Sequence, residues 1–214
     1  MDAEVCIQVF ARAPEIGFTK TRLIPSLGAA GAAALHERLV RRTLRTTVDA
    51  RVGPVQAWCT PSRDHGFFAD CAARYGVTLH EQGDGDLGIR MERALTAGIA
   101  AFGGAVLVGC DCPAFSKEDF REAARLLKSG VDVVMTPAED GGYTLIAASR
   151  VDPSLFTGIA WGGDEVMTVT RKRLRVLQWN FREMRALWDV DRPEDLARLQ
   201  GDPQFDELLL ADFP

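Results

Sequence analysis

The stretch that most constrains the fold runs from Ala105 to Pro113 and reads Ala-Val-Leu-Val-Gly-Cys-Asp-Cys-Pro. Its apolar residues continue without alternation through Val108, which is typical of a central parallel strand covered on both faces. Pro113 ends the pairing because it has no backbone N–H to donate. Asp111 is therefore predicted to lie at the carboxyl end of a central strand, the edge at which open α/β sheets bind ligands. There it either holds a divalent metal against a phosphate or forms a turn that caps the following helix.

The composition of the whole chain is that of a globular α/β protein. Its 214 residues, 47% apolar and 26% charged, are enough for one domain with a sizeable core. The formal net charge is −5, so the sequence does not indicate the basic surface that nucleic-acid-binding proteins present. No apolar run approaches the roughly 20 residues that span a bilayer. The segment 1–4 is acidic and is followed directly by a strand pattern, so we do not expect a signal peptide. We expect one domain, residues 1–214, in the cytoplasm, without nucleic-acid or membrane partners; no pattern indicates an oligomeric state.

The cysteines and histidines offer few candidate ligands. Five cysteines without a secretory signal indicate reduced thiols. Cys110 and Cys112 form a Cys-x-Cys pair, but no second pair or nearby histidine completes a zinc site, so we expect two small buried residues. The histidines, His36, His65 and His80, are scattered and indicate neither a triad nor a metal cluster.

Strand and helix patterns alternate along the chain. Strand patterns cover residues 5–10, 55–60, 77–80, 105–108, 131–136 and 144–148, and a last strand is expected to end near 188–191. Helical patterns cover residues 29–49, 64–75, 87–99, 116–127, 164–177, 193–200 and 206–210, with Ser116 as the cap of the fourth helix. This alternation predicts an α/β fold.

The loop after the first strand, Ala11 to Leu23, presents Lys20 and Arg22 beyond a turn marked by Pro14 and Gly17. Lysine as a point charge and arginine as a two-pronged donor suit the phosphates of a nucleotide. The spacing of a Walker loop is absent. By spacing alone, a solvated basic loop is the simpler interpretation.

Residues Gly83–Gly88 match Gly-x-Gly-x-x-Gly between a strand and a helix, and Asp111 follows about 20 residues later. This is the dinucleotide-binding fingerprint in its proper context, and it would make Asp111 an acceptor for a ribose hydroxyl. Against it, Asp84 and Asp86 would lie where a pyrophosphate must approach. The motif also does not fall in the first βα unit.

Two later motifs carry further acidic residues. The segment Asp140–Tyr143 contains Asp-Gly-Gly, which is a turn signal and equally lets the backbone approach a substrate, with Tyr143 as a platform. Asp189 and Asp191 are two apart and would share one face of an extended strand. If the strands are parallel, this Asp-x-Asp lies on the same sheet edge as the motifs after the first and central strands.

Together these motifs resemble the GT-A-type nucleotide-diphospho-sugar transferases, and among them small bacterial glycosyltransferases, some of which are linked to arsenosugar biosynthesis. The matching segments follow in order along nearly the whole chain: 10–14 and 17–23, 85–91, 108–113, 140–143, Phe156 with Trp161, and 189–196. Lys-Thr-Arg-Leu at 20–23 also resembles the guanylyltransferases that activate phospholactate. Asp-x-Asp-x-Pro-Glu-Asp-Leu at 189–196 resembles sugar nucleotidyltransferases more broadly.

The resemblance implies a three-layer α/β/α sandwich with a mostly parallel, Rossmann-like sheet. It implies a metal-dependent transferase with a nucleotide-sugar donor or, as the alternative, a nucleotidyltransferase that makes an NDP-linked product from an NTP and releases pyrophosphate. Nucleotidyltransferases usually open with a Gly-rich loop that ends in Lys, whereas only Gly17 stands there, so both transfers stay open. An NAD-binding oxidoreductase is a more remote alternative, and a non-catalytic binding protein on the same fold is another.

Each motif has a role in this interpretation. Asp111, with Asp189 or Asp191, would hold Mg²⁺ or Mn²⁺, and Lys20 and Asp111 would carry the catalysis. The nucleotide or nucleotide-sugar would be bound by Ala11, Arg12, Lys20, Arg22, Gly85, Asp86, Gly88 and Arg90. A small-molecule acceptor would be bound by Asp140, Gly141, Gly142, Tyr143, Trp161 and Asp164. Asp164 or Glu165 would act as a general base, or else cap the helix that follows.

Overall fold

The computed structural model of the chain describes residues 5–209. The strands are β1 (Val5–Arg12), β2 (Val55–Thr60), β3 (Thr78–Glu81), β4 (Gly104–Gly109), β5 (Val133–Pro137), β6 (Tyr143–Ala148) and β7 (Phe181–Glu183). The helices are α1 (Ile24–Ala50), α2 (Gly66–Tyr75), α3 (Leu87–Phe102), α4 (Lys117–Lys128), α5 (Val166–Val176), α6 (Pro193–Gln200) and α7 (Asp206–Leu209). Leu210, the predicted end of the last helix, and residues 1–4 lie outside the described residues.

The strands form one seven-stranded sheet in the order β3-β2-β1-β4-β6-β5-β7. Every neighbouring pair is parallel except those of β6, which is antiparallel to both β4 and β5. The connection from β3 to β4 crosses over β2 and β1, so the chain changes direction across the sheet between β1 and β4. In open α/β sheets this switch point is where a ligand-binding crevice opens.

Helices cover both faces of the sheet, and successive side chains of a strand point to opposite faces. In β4, Val106 and Val108 join a core cluster with residues of α1, α2 and α4. Ala105 and Leu107 join a second cluster with residues of α3 and α5. The central strand is therefore apolar without alternation, and the three-layer α/β/α sandwich with a mostly parallel sheet is confirmed.

Helix α1 has an interruption at its start. Gly28 lies at φ 71° and ψ 166°, outside the helical region, so the regular part of the helix begins after it. Glycine is suited to this position because positive φ values are strained for residues with a Cβ atom. The regular part agrees with the predicted helix over residues 29–49.

The predicted strand that ends near residues 188–191 is wrong. The last strand, β7, is shorter and lies earlier in the chain, and Asp189 and Asp191 belong to the segment between β7 and α6. The alternation of polar and apolar residues arises because the side chain of Val190 is fully buried in a third cluster, with Leu35 of α1 and Leu196 of α6. The segment is still fixed to the sheet, since the Val190 N–H donates to the Asp111 carbonyl at 2.8 Å.

Over residues 5–209, no helix combines the length and the apolar character that crossing a bilayer requires.

The start of α4 is tied to the segment that follows β7. Ser116 is the N-cap, as predicted, and its N–H and hydroxyl both donate to Asp119 Oδ2 at 2.8 Å. The same oxygen accepts from Arg185 Nη2 at 2.9 Å, which links the helix to the segment that carries Asp189.

We expect Asp119→Ala to lower the free energy of unfolding by about 1–3 kcal/mol, because a helix cap is lost and Arg185 loses its partner. Urea denaturation followed by circular dichroism measures the change. Glu118→Ala is the matched control: it alters an exposed carboxylate of the same turn and should stay within about 0.5 kcal/mol of wild type. Equal losses in both variants would contradict the role of Asp119.

Candidate active site

A cavity of about 800 Å³ opens at the carboxyl ends of β1 and β4, at the switch point of the sheet. Ala11 and Arg12 at the end of β1 line one side, and Gly109 to Asp111 after β4 line its floor. Its remaining walls come from the loop after β1, the turn before α3 and the segment before α6. The sheet edge predicted to bind a ligand is thus a cavity large enough for a nucleotide.

Lys20 is the centre of this cavity's polar floor. Its ammonium lies 2.5 Å from Asp111 Oδ1 and 2.7 Å from Asp191 Oδ1, and it donates to the Val190 carbonyl at 2.6 Å. The side chain is only 5% exposed, and these three contacts use all three of its N–H donors. Lys20 also has a left-handed backbone, at φ 47° and ψ 43°. A non-glycine residue keeps that conformation only where its surroundings fix it, as these contacts do.

The charges of the floor are strongly coupled. Burial opposes the charged forms of Lys20 and Asp111, but their attraction prevails, so the pKa of Lys20 is raised and that of Asp111 is lowered. Asp189 has no such partner. Burial, followed by the negative charges of Asp111 and Asp191, raises its pKa to about 8. Two carboxylates, Asp111 and Asp191, thus share a single ammonium, so the floor has an excess of negative charge, and the neighbouring Asp189 favours its neutral form near pH 7.

Asp111 does not cap the helix after it, because Ser116 does so. Its side chain is 45% exposed, lines the cavity and pairs with Lys20. The capping alternative from the sequence is therefore wrong, while metal binding by Asp111 stays a prediction.

The three predicted metal ligands, Asp111, Asp189 and Asp191, all line the cavity. In the described part of the chain, no group of three or more His, Cys, Asp or Glu side chains is arranged to hold a metal ion. Lys20 bonds to two of the three carboxylates at once. The donor set nevertheless fits Mg²⁺ or Mn²⁺, because these ions prefer carboxylate oxygens and the floor has uncompensated negative charge.

The predicted nucleotide-binding residues that line the cavity are Ala11, Arg12, Lys20, Arg22, Gly85, Asp86 and Arg90. Arg90 donates to the Gly85 carbonyl at 2.9 Å. Arg12 and Arg22 form no ion pair within residues 5–209 and leave their guanidinium groups available to an anion.

Gly88 does not line the cavity. A Cβ atom on it would lie 2.7 Å from both Trp161 Nε1 and the Phe156 carbonyl, so this glycine serves the packing of α3 against the loop before α5. The structure gives Gly88 a packing role, and its role in nucleotide binding stays a prediction.

The dinucleotide-binding alternative does not fit the topology. Asp86 is the N-cap of α3 and accepts from the Ile89 N–H at 2.9 Å, so a carboxylate already occupies the helix end where a pyrophosphate would bind. In a βαβ unit of that type the two strands are neighbours. Here β3 is an edge strand, and β2 and β1 separate it from β4 and Asp111.

On the predicted acceptor side, only Tyr143 lines the cavity. Its ring packs edge-to-face against Trp161, with centroids 6.4 Å apart. The Tyr143 hydroxyl and the Trp161 indole N–H are both buried and have no hydrogen-bond partner among residues 5–209. Burial raises the pKa of Tyr143, so the phenol stays neutral. The Tyr143 ring lines the cavity, whereas its hydroxyl and the Trp161 N–H are both closed off from solvent.

The other predicted acceptor residues form a packed loop beside the cavity. Gly141, at φ 95°, lies so close to the backbone of Asp164 that a Cβ atom would overlap it. Asp140 accepts from the Gly142 N–H at 3.0 Å. Neither Asp164 nor its neighbour at the N-cap position of α5, Glu165, lines the cavity, and the N-cap residue makes no side-chain capping bond. The geometry supports neither the general-base role nor the capping role.

The sequence prediction missed His36, which lines the cavity from the buried face of α1. Its Nε2 lies 3.0 Å from the Arg12 carbonyl, which can only accept, so Nε2 carries the proton and Nδ1 is a buried acceptor without a partner. Burial lowers the pKa of His36, which keeps the ring neutral. Only its place beside Leu35 on the apolar face of α1 pointed to burial.

The five cysteines are free and buried, as predicted for the Cys110 and Cys112 pair. Burial raises the pKa of the Cys110 thiol well above its ordinary value. Cys110 and Cys112 pack in the core just after the end of β4.

The fold and the position of the cavity define a nucleotide-diphospho-sugar-transferase-like protein. The chain is similar to a crystal structure of a candidate nucleotide-diphospho-sugar transferase from Desulfovibrio desulfuricans G20, with 28% identity and a TM-score of 0.85 over 97% of this chain and 94% of that one. The fold is also that of a cytidylyltransferase from Leptospira borgpetersenii, at 14% identity and a TM-score of 0.62 over 96% and 92% of the two chains. It is shared too by glucosyl-3-phosphoglycerate synthase from Mycobacterium tuberculosis, crystallised with Mn²⁺, UDP and glucosyl-3-phosphoglycerate, at 13% identity and a TM-score of 0.54 over 97% and 78%.

The chain belongs to the DUF2064 family, described as an uncharacterized protein conserved in bacteria, which matches residues 43–163. No curated protein matches the chain. The resemblance to nucleotide-diphospho-sugar transferases is confirmed.

We expect Gly88→Ala to destabilise the protein by about 1–3 kcal/mol, because the added methyl group overlaps the Trp161 ring and a backbone carbonyl. Gly66→Ala is the control, since a Cβ atom at that helical position meets nothing within 4 Å. Thermal unfolding should show a lower midpoint for the first variant and an unchanged or higher one for the second. Two unchanged midpoints would contradict the packing role of Gly88.

Proposed function

We propose that this protein is a transferase that binds a nucleotide-sugar at the cavity over β1 and β4 and transfers the sugar to a small acceptor. The observation that carries the proposal is the ion cluster in which the buried Lys20 pairs with Asp111 and Asp191, with Arg12 and Arg22 at the same cavity. In a nucleotide-sugar complex, the cations would bind phosphate oxygens and the carboxylates would hold a divalent metal ion beside them. The similarity to a candidate nucleotide-diphospho-sugar transferase supports the donor class.

The basic residues would bind the donor's phosphates. Arg12 and Arg22 lie on the loop after β1 and present forked donors that match phosphate oxygens. Lys20 would hold Asp111 and Asp191 together and exchange one of these bonds for a phosphate oxygen. Fixed positive charge at this position would stabilise the negative charge that develops on the leaving phosphate.

The carboxylates would hold the predicted Mg²⁺ or Mn²⁺, with Asp111 as one ligand and Asp189 or Asp191 as another. The excess negative charge of the floor supports this role, as does the Mn²⁺ bound with UDP by the structurally similar synthase. A bound divalent ion would neutralise charge on the donor phosphates.

The acceptor would bind near Tyr143, whose ring lines the cavity. The rest of the predicted acceptor set, at 140–142, 161 and 164, would support this wall from behind. One domain over residues 1–214 stays a prediction, which the continuous sheet supports.

Nucleotidyl transfer is the second candidate. The segment Lys-Thr-Arg-Leu at 20–23 and the fold shared with a cytidylyltransferase support it. Release of pyrophosphate from an NTP, in the presence of a phosphorylated acceptor, would distinguish this reaction from sugar transfer.

Thermal-shift screening tests the donor class, because a ligand stabilises the folded state that binds it. UDP-, GDP- and CDP-sugars are compared with NAD and NADP, each with and without Mn²⁺. The proposal predicts that one nucleotide-sugar raises the midpoint and that Mn²⁺ increases the shift. Stabilisation by NAD or NADP alone would contradict it.

We expect Lys20→Ala to weaken binding of the best nucleotide by about 1–3 kcal/mol, because a charged hydrogen-bond donor to phosphate is removed. Isothermal titration calorimetry with UDP, CDP and GDP measures the loss, and circular dichroism checks that the variant is folded. Lys172→Ala removes an exposed lysine of α5 that does not line the cavity and should bind like wild type. Wild-type affinity in both variants would show that Lys20 does not bind the nucleotide's phosphates.

A further inference from the structure

The loop after β1 carries two exposed apolar side chains beside its cations. Ile16 is 65% exposed and Phe18 is 72% exposed, although each lies a few residues from a fully buried position. Large apolar side chains with this exposure gain from covering by a ligand or partner. They are not used by the phosphate and metal roles proposed above.

The turn that carries them is closed by hydrogen bonds. The Ala13 N–H donates to the Thr60 carbonyl of β2 at 2.8 Å, which anchors the start of the turn to the sheet. The carbonyl of Glu15 accepts from the Phe18 N–H and from the Thr19 hydroxyl, each at 3.1 Å. Gly17, at φ 84°, provides the backbone conformation that closes the turn. These bonds fix the backbone at Phe18, so a ligand would meet a loop that is already folded.

The two side chains differ in where they lie. Phe18 lines the cavity, whereas Ile16 does not. Leu87, which is 44% exposed, lines the same cavity from the turn before α3. The cavity mouth thus has apolar groups on both of its flanking loops. Phe18 is also two residues from Lys20, which places their Cα atoms at most about 7 Å apart.

We propose that the ring of Phe18 stacks on the base of the bound nucleotide and covers one of its faces. This inference rests on the proposed function, because Lys20 would hold the phosphates of the same ligand. A nucleotide presents its flat, apolar base at one ribose's distance from its phosphates, and an exposed aromatic ring beside a phosphate-binding cation matches that arrangement. Stacking tolerates any base, since every base has a π face. Phe18 would thus strengthen the binding of nucleotides without selecting among them.

The test compares Phe18→Ala with the matched control Ile16→Ala, which shortens an equally exposed side chain of the same turn. Calorimetry with UDP, CDP, GDP and inorganic pyrophosphate gives the dissociation constants, and pyrophosphate serves as the probe without a base. We expect Phe18→Ala to weaken the best nucleotide about tenfold or more while pyrophosphate changes less than about twofold. Phe18→Tyr should retain wild-type affinity, and Ile16→Ala should leave every constant unchanged.

Four results would overturn the inference. Nucleotide affinity that Phe18→Ala leaves unchanged would overturn it while the proposed function stands. Equal weakening of nucleotide and pyrophosphate binding would mean that the Phe18 ring maintains the shape of the loop and does not contact the base. A dimer that dissociates in Phe18→Ala, seen by light scattering, would assign it to a second copy of the chain. Wild-type protein that binds no nucleotide at all would overturn both the inference and the proposed function.

Discussion

The buried ammonium of Lys20 is the interaction on which the rest of the site depends. It joins three parts of the chain: the loop after β1, the end of β4 at Asp111 and the segment before α6 at Asp191. Removing a charge from water is unfavourable unless it is paired and hydrogen-bonded, and here all three N–H groups have partners. The left-handed backbone of Lys20 opens the short helical turn Thr21–Leu23, where its carbonyl accepts from the Leu23 N–H at 2.8 Å.

The supports around this cluster are structural and lie outside the cavity. The Val190 N–H bonds to the Asp111 carbonyl, and Arg185 bonds to Asp119 at the start of α4. Gly88 lets Trp161 pack against the start of α3, next to the turn that lines the cavity. These contacts hold charged groups together at one sheet edge, and such preorganisation would suit the proposed binding of phosphates.

The sequence predicted the central strand and the position of Asp111, because a strand buried on both faces leaves a long apolar run that ends in a visible break. It also predicted that the cations near residue 20 and the late Asp-x-Asp would share an edge. It misassigned the segment around Val190 as a strand, since one buried valine between two aspartates has the same alternation as a half-buried strand. The role of His36 depends on a contact between α1 and the end of β1, and no local pattern encodes such a contact.

The most direct measurement is a crystal structure with a nucleoside diphosphate and Mn²⁺, in which anomalous scattering locates the metal. The account predicts a manganese peak bonded to Asp111, with phosphate oxygens contacting the metal and the basic residues of the loop after β1. It would be contradicted by a nucleotide whose phosphates bind at the start of α3, or by a manganese ion away from the carboxylates of the cavity floor.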